Sequence, residues 1–194
     1  MDKKDIIDFF DVCASEWDSH MVRNEAVISK ILDNAGVEEG KDILDVACGT
    51  GVLFPDYIKR GVKSLTGIDI SPKMAEIAKN KFPGENISVV CGDVEEISFD
   101  EKFDGIIVYN AFPHFPSPER LIAKLSTMVK KGGMVTVAHG MSRERLEKHH
   151  SGAAKDVSIG LIDENELADI FGRYLKVTTK ISDDEMYQVA GIKE

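Results

Sequence analysis

Apolar residues recur along the chain with two alternating periods, one typical of buried strands and the other of helices. Short runs that are apolar at nearly every position predict strands covered on both faces. Runs with apolar residues at helical spacing predict helices with one inward face. The alternation predicts an α/β fold, with a doubly wound, mostly parallel sheet of seven strands, helices on both faces and an antiparallel edge strand. The predicted strands begin near Ile43, Ser64, Ile87, Phe103, Met134, Tyr174 and Met186, and predicted helices cover about 3–18, 22–35, 52–60, 71–81, 118–129 and 142–150, with another beginning at Asp163.

A small-residue loop with two glycines directly follows the first predicted strand, in the stretch 43–51. Glycine permits a sharp turn at positive φ and leaves no side chain between the loop and a ligand. A dinucleotide-binding loop needs a small third residue for close helix packing, but Phe54 stands there. A phosphate-binding P-loop needs Gly-Lys-Ser/Thr, which is also missing. The loop therefore predicts the opening of a nucleotide-binding βα unit without identifying the ligand, and a glycine-rich turn that binds nothing is the alternative.

Polar side chains follow each of the first five predicted strands, namely Asp45, Asp69, Asp93, Asn110 and His139. The carboxyl ends of parallel strands form the ligand-binding edge of such a sheet. A carboxylate can accept hydrogen bonds from both hydroxyls of a ribose. Asp69 lies about 20 residues past the loop, where dinucleotide-binding folds have the acidic residue that binds the ribose. Three carboxylates together repel phosphate and tolerate a cation. This disfavours NAD, ATP and nucleotide sugars, and it favours a cationic adenosyl compound.

The loop D-x-A-x-G-x-G resembles motif I of the class I S-adenosylmethionine-dependent methyltransferases, with Ala47 where many members carry a glycine. The resemblance covers about residues 40–138 and implies a Rossmann-like fold, S-adenosylmethionine as cofactor, and a small-molecule type of enzyme. It implies that Asp45 and the backbone of Ala47 and Gly49 hold the amino-acid part of the cofactor, and that Asn110 begins the loop facing the methyl group. The cofactor-binding residues are then Asp45, Ala47, Gly49, Gly51, Asp69, Ile70, Asp93, Val94 and Asn110.

The same resemblance implies one methyltransferase domain over 1–194. It comprises an N-terminal helical lid (1–36), a cofactor-binding core (40–138), an insert (139–160) and a C-terminal helix and strand pair (161–194). The lead-in stretch Phe9–Asp18 is similar to that of several small-molecule methyltransferases, in which it lines the acceptor site. The predicted acceptor pocket consists of Phe10, Trp17, His20 and Phe112. Plain core packing is an equal alternative for Phe10.

Methyl transfer is expected to be an in-line displacement that needs alignment and exclusion of water, and a base where the acceptor must lose a proton. His114, His139 and Tyr109 follow the fourth and fifth strands and are the catalytic candidates. Each histidine also has the ordinary interpretation of a satisfied polar residue. A weaker hypothesis brings several of the five histidines, which include His149 and His150, together in a metal-assisted or thiol-type acceptor site. No resident metal is predicted.

The formal net charge of -10 at pH 7 repels polyanions, and no basic stripe suited to nucleic acid is present. Three cysteines without a C-x-x-C pair, together with no apolar run of about 20 residues, favour a reduced cytoplasmic protein without membrane contact. We expect a monomer or homodimer that acts on a small molecule. Two alternatives stay open: a non-catalytic module that binds S-adenosylmethionine or S-adenosylhomocysteine, and a methyltransferase for protein or RNA.

Overall fold

The computed structural model describes residues 2–150 and 155–194, without the side chains of 147–150 and 155. The helices are α1 (Lys3–Cys13), α2 (Glu25–Asn34), α3 (Phe54–Lys59), α4 (Pro72–Lys81), α5 (Pro118–Met128), α6 (Arg143–His150) and α7 (Glu164–Phe171). The strands are β1 (Asp42–Val46), β2 (Ser64–Asp69), β3 (Ile87–Cys91), β4 (Phe103–Tyr109), β5 (Val129–His139), β6 (Lys176–Ser182) and β7 (Tyr187–Ile192). Short 3-10 turns cover Ala14–Glu16, Asp18–His20, Phe112–His114 and Lys155–Val157.

The strands form one seven-stranded sheet in the order β3-β2-β1-β4-β5-β7-β6. Strands β1 to β5 are parallel, and β7 runs antiparallel between β5 and β6. The predicted fold class is therefore confirmed. The strand order reverses between β1 and β4, so the connections that leave their carboxyl ends run in opposite directions and open the crevice in which such sheets bind ligands.

Alternate residues of the central strands pack into two different helix layers. Leu44 and Val46 face a layer that includes α5 and α7, whereas Ile43 faces a layer that includes α2, α3 and α4. The near-continuous apolar strands of the sequence follow from this two-sided burial. Asp45 lies between Leu44 and Val46, so its carboxyl group lies on the face of α2 and α3.

Some predicted element boundaries were wrong. The second helix begins at Glu25 rather than near residue 22, because the Asn24 side chain accepts from the N–H of Val27 (3.3 Å) and caps it. The first helix ends at Cys13, and 3-10 turns continue the chain. The fifth strand begins at Val129 rather than near Met134, so that 131–133 lie inside β5.

The division into lid, core, insert and C-terminal part stays a proposal. The predicted insert (139–160) is only partly described, because residues 151–154 lie outside the described residues. The part that is described contains α6 and the turn Lys155–Val157.

Candidate active site

The glycine loop turns sharply at the end of β1 through three residues with positive φ. These are Ala47 (54°), Gly49 (57°) and Gly51 (83°). A non-glycine residue pays about 1 kcal/mol for this conformation, which explains why glycine suits the position of Ala47. A hydrogen bond from the Cys48 N–H to the Ile68 carbonyl (3.1 Å) ties the loop to β2. The loop thereby leaves backbone groups at the cavity edge.

Two buried carboxyl groups lie beside this loop, one at the end of β1 and one at the end of β2. Asp45 is 2% exposed and Asp69 is 7% exposed, and both line the cavity. Burial raises the pKa of Asp69 to about 6, although the N–H groups of Ser71 (2.9 Å) and Gly49 (2.8 Å) donate to its oxygens. Burial, and then the charge of Asp69, raise the pKa of Asp45 well above its usual value. This corner is therefore unfavourable for a second anion and favourable for a cation or a hydroxyl donor.

A third carboxyl group lies after β3. One oxygen of Asp93 accepts from the Glu95 N–H (2.8 Å), and the other pairs with Lys3 Nζ (2.5 Å) from α1. Val94 beside it is buried, and Ile70 after β2 is half-buried; both line the cavity. These groups form an apolar slot with an acceptor at its rim, which suits the edge of a flat base.

Asn110 joins the ends of β4 and β5. It has a φ of 53°, and its Oδ1 accepts from the N–H of Gly140 (2.9 Å). Tyr109 also lines the cavity, and burial raises the pKa of its hydroxyl. Neutral Tyr109 is therefore a wall or hydrogen-bond donor at neutral pH rather than a base.

The N-terminal segment, 3–23, lies across the open end of this crevice. Asp11 accepts from the Ser71 hydroxyl and from the Lys73 N–H (3.2 Å). Asp18 accepts from the Thr50 hydroxyl (2.5 Å) and pairs with Lys81 (2.6 Å). Together with the Lys3 ion pair, these contacts fasten the segment to β1, β2 and β3 at their ligand-binding ends.

Aromatic rings of this segment face the glycine loop. A Cβ built on Gly49 would lie 3.8 Å from the indole nitrogen of Trp17, so the indole lies over the loop. Phe10 packs edge-on against Trp17 (5.6 Å between centroids) and against His114 (4.9 Å). His20 lies at the cavity rim, with its Nδ1 3.0 Å from the Glu16 carbonyl.

All these features enclose one cavity of about 680 Å³. Its lining includes eight of the nine predicted cofactor-binding residues, namely Asp45, Ala47, Gly49, Asp69, Ile70, Asp93, Val94 and Asn110. It also includes five of the seven predicted pocket or catalytic residues, namely Phe10, Trp17, His20, Tyr109 and His114.

Three predicted site residues lie away from the cavity lining. Gly51 instead makes room for aromatic packing, since a Cβ there would lie 2.7 Å from the Phe82 ring. Phe112 is completely buried among the apolar residues around α5. His139 is completely buried and packs against Tyr187 (6.1 Å between ring centroids). We expect these residues to act through packing rather than by touching a ligand.

Other cavity residues were not predicted from the sequence. Arg23 and Met141 both contribute to the lining. Met141 follows β5 by two residues, so its position after a strand end was an available signal. Arg23 lies in the extended connection before α2. The sequence pattern assigned this connection to the helix, so it gave no reason to predict Arg23 as a cavity residue.

Among the described residues, no three His, Cys, Asp or Glu side chains are grouped as a metal site would require. The side chains of His149 and His150 lie outside the described residues. No helix in the described part of the chain combines the length and apolar character needed to cross a membrane.

The residues present fit S-adenosylmethionine. The two buried carboxyl groups suit a ligand that carries cationic and hydroxyl groups but no phosphate, and the slot around Val94 suits adenine. A glycine loop after β1, with carboxylates ending β1 and β2 of this sheet, is typical of the class I S-adenosylmethionine-dependent methyltransferases.

Comparison with known proteins gives the same family. Residues 44–137 match the family model described as a methyltransferase domain, so the chain belongs to the methyltransferases, whose cofactor is S-adenosylmethionine. Ubiquinone biosynthesis O-methyltransferase of Coxiella burnetii is 30% identical over 143 residues, covering 69% of this chain and 60% of that protein. Malonyl-[acyl-carrier protein] O-methyltransferase of Priestia megaterium is 38% identical over 92 residues, covering 47% of this chain and 34% of that protein. The chain thus spans between one third and three fifths of these relatives.

Solved structures share the fold. A Haloferax volcanii methyltransferase, in complex with the Trm112 methyltransferase activator, aligns with a TM-score of 0.82 at 20% identity over 97% of both chains. Magnesium protoporphyrin IX methyltransferase of Synechocystis with bound S-adenosylhomocysteine aligns with a TM-score of 0.73 at 16% identity over 100% of both chains.

Proposed function

We propose that this protein transfers a methyl group from S-adenosylmethionine to a small molecule held in the same cavity. One observation carries the proposal: a single cavity joins the carboxylate-lined cofactor cradle to an aromatic wall that contains a histidine. Its volume of about 680 Å³ lies within the range of about 300–1,000 Å³ that is typical of small-ligand sites.

The cofactor would supply a methyl group that is already activated on a sulfonium. The chain would contribute binding and alignment. Asp45 and the backbone of Ala47 and Gly49 would hold the amino-acid part, and Asp69 would accept from the ribose hydroxyls. Asp93 would meet the edge of the adenine.

The N-terminal segment supports a small acceptor, because its aromatic rings lie over the glycine loop and line the cavity. The net charge of -10 adds a long-range repulsion against RNA. The relatives named above as O-methyltransferases support oxygen as the acceptor atom. Among the catalytic candidates, His114 and Tyr109 stay in the proposal as cavity residues, whereas His139 is proposed only as a supporting residue beneath them.

Binding is tested by calorimetry with S-adenosylmethionine, S-adenosylhomocysteine and NAD. We expect the first two to bind and NAD to be rejected. Asp69→Asn should weaken cofactor binding at least about 10-fold, since it removes one charged acceptor, and Asp184→Asn on the exposed surface is the matched control. Tight binding of NAD, or equal affinities of the two variants, would contradict the assignment.

Transfer is tested with methyl-labelled cofactor and a cell extract separated by size. Label in the fraction of small metabolites supports the proposal, and label only in protein or RNA contradicts the small acceptor. Binding of cofactor without any transfer would favour the non-catalytic module.

A partner subunit is a second proposal, favoured by the full-length structural match to a methyltransferase that was solved with an activator protein. Light scattering on the purified protein, alone and with a Trm112-type protein, tests it against the expected monomer or homodimer. A stable complex with higher transfer activity would support this proposal, and two separate species would refute it.

A further inference from the structure

The ring of His114 is held by a carbonyl from a distant part of the chain. Its Nδ1 lies 2.6 Å from the main-chain oxygen of Val157. A carbonyl oxygen can only accept, so Nδ1 carries the proton of this hydrogen bond. In the neutral ring, the lone pair is therefore on Nε2, which is the state that a general base requires.

The segment that supplies this carbonyl is itself fixed to the turn that carries His114. The N–H of Ile159 donates to the carbonyl of Pro113 (2.9 Å), next to the histidine. Val157 and Leu161 are both 4% exposed and anchor the segment in the core. One hydrogen bond thus holds the ring itself, and the other ties the turn that carries the ring to the segment that supplies the carbonyl.

The walls near His114 suit a flat apolar acceptor. Phe10 presents an edge-on contact to the imidazole, and Trp17 continues this aromatic surface toward the glycine loop. Phe115 and Met141 also line the cavity and are apolar. An aromatic ring placed here would gain the edge-to-face contacts that such rings favour.

The charges of the cavity disfavour an anionic acceptor. Lys3 and Arg23 are the lysine and arginine of the described cavity lining. Lys3 is paired with Asp93 (2.5 Å), and Arg23 is paired with Asp56 (2.8 Å). A carboxylate acceptor would have to displace one of these pairs while facing the buried carboxyl groups, whereas a neutral hydroxyl compound would not.

We infer that the acceptor is a neutral aromatic hydroxyl compound, a phenol or catechol, and that His114, positioned by the Val157 carbonyl and the Ile159 N–H, is its general base. The inference rests on the proposed function. The hydroxyl proton passes to Nε2, and an oxygen lone pair forms the new O–C bond. The C–S bond breaks and its electron pair stays on sulfur. The products are the methyl ether, S-adenosylhomocysteine and an imidazolium that returns its proton to water.

The base is tested by His114→Asn, because the asparagine amide nitrogen can replace Nδ1 as donor to Val157 but offers no basic nitrogen. The probes are catechol, which is neutral at pH 7, and 4-nitrocatechol, which is largely ionised and is therefore used at saturating concentration, because the charges of the cavity should weaken its binding. With catechol we expect kcat to fall by roughly 10²–10⁴-fold, the usual contribution of a general base. With 4-nitrocatechol, the loss should be at least about 10-fold smaller. The melting temperature and the Kd for S-adenosylhomocysteine should not change.

Positioning is tested by Ile159→Pro, which removes the N–H that bonds to Pro113. Ile159→Ala keeps that N–H and reports the contribution of the half-exposed side chain alone. We expect the proline variant to lower kcat for catechol at least about 10-fold more than the alanine variant, with similar affinity for S-adenosylhomocysteine. Nitrogen-15 NMR of the histidines should show a ring protonated at Nδ1 in the wild type, absent in His114→Asn and altered in Ile159→Pro.

The outcomes separate this inference from the proposed function. Equal losses with both catechols, or equal effects of the two Ile159 variants, would overturn the base or its positioning. Cofactor binding without transfer to either catechol would overturn the hydroxyl class and leave the proposed function standing. Failure to bind the cofactor at all would overturn the proposed function itself.

Discussion

Without cofactor, the protein should lose stability as the pH rises from about 5 to about 7.5, because Asp69 must then ionise in a buried site. The pKa of this carboxyl group is raised from 3.8 to about 6 in the folded state. A raised pKa for an acid means that the folded state holds its proton more tightly than the unfolded state. Stability is therefore highest while the group is protonated, and it falls between the unfolded and folded values.

The shift of about two pKa units corresponds to about 3 kcal/mol in full, and about half of this amount falls between pH 5 and pH 7.5. For a chain of this size, about 1.5 kcal/mol corresponds to a decrease of roughly 3–6 °C in melting temperature. The buried Asp45 acts in the same direction. Carboxyl groups whose pKa is lowered, such as Asp42 at about 2, stabilise the folded state until the pH is much lower. They therefore do not change the free energy of unfolding between pH 5 and pH 7.5.

The assay is urea unfolding at both pH values for the wild type and Asp69→Asn, each with and without saturating S-adenosylhomocysteine. The difference between the two proteins removes the titration of every group that does not interact with Asp69. Asp69→Asn should show the smaller decrease, by about 1.5 kcal/mol. The ligand should reduce the wild-type decrease, because its hydroxyls favour the charged carboxylate. Parallel pH dependences of the two proteins would refute the reasoning.

Two further substitutions test the glycine loop and the N-terminal segment, 3–23. Gly51→Ala should destabilise the protein by about 1–3 kcal/mol more than Gly40→Ala in thermal unfolding, since both positions have positive φ but only the first Cβ would meet the Phe82 ring. Equal costs would show that backbone strain alone matters. Asp11→Ala, which removes the acceptor of the Ser71 and Lys73 hydrogen bonds, should increase proteolytic cleavage within residues 3–23 and weaken S-adenosylhomocysteine binding, whereas exposed Asp8→Ala should do neither. Unchanged cleavage in Asp11→Ala would show that this contact does not hold the segment.

Strand ends could be predicted from the sequence because a strand that is buried on both faces is apolar at nearly every position. Strand β4 is apolar at nearly every position, and the polar residue that follows it, Asn110, marks the point where the chain leaves the core. The same reasoning located Asp45, Asp69 and Asp93 at one edge. Periodicity did not show where helix α2 begins, because the capping hydrogen bond of Asn24 is a local event that apolar spacing does not reveal.

The histidines show why the acceptor side was harder to predict than the cofactor side. His114 and His139 both follow strands, and their sequence positions are equivalent. Only the structure shows that β5 carries His139 inward onto Tyr187, whereas the turn after β4 leaves His114 in the cavity. Val157 had no local signal at all, because its contribution is a main-chain oxygen and the contact spans 43 residues.

The same burial that makes the cofactor site recognisable also makes it unfavourable without a ligand. Asp45 and Asp69 are both withdrawn from water, and the charge of Asp69 makes ionisation of Asp45 harder. Their charges become favourable only when hydroxyl and cationic groups enter the corner between them. A ligand with such groups therefore gains binding free energy in two ways, from its new contacts and because it removes the cost of the buried charges. A polyanion or a phosphate would increase the penalty instead. The preference for a cationic adenosyl compound therefore follows from the folded protein's own electrostatics, and it should weaken at a pH low enough to protonate both groups.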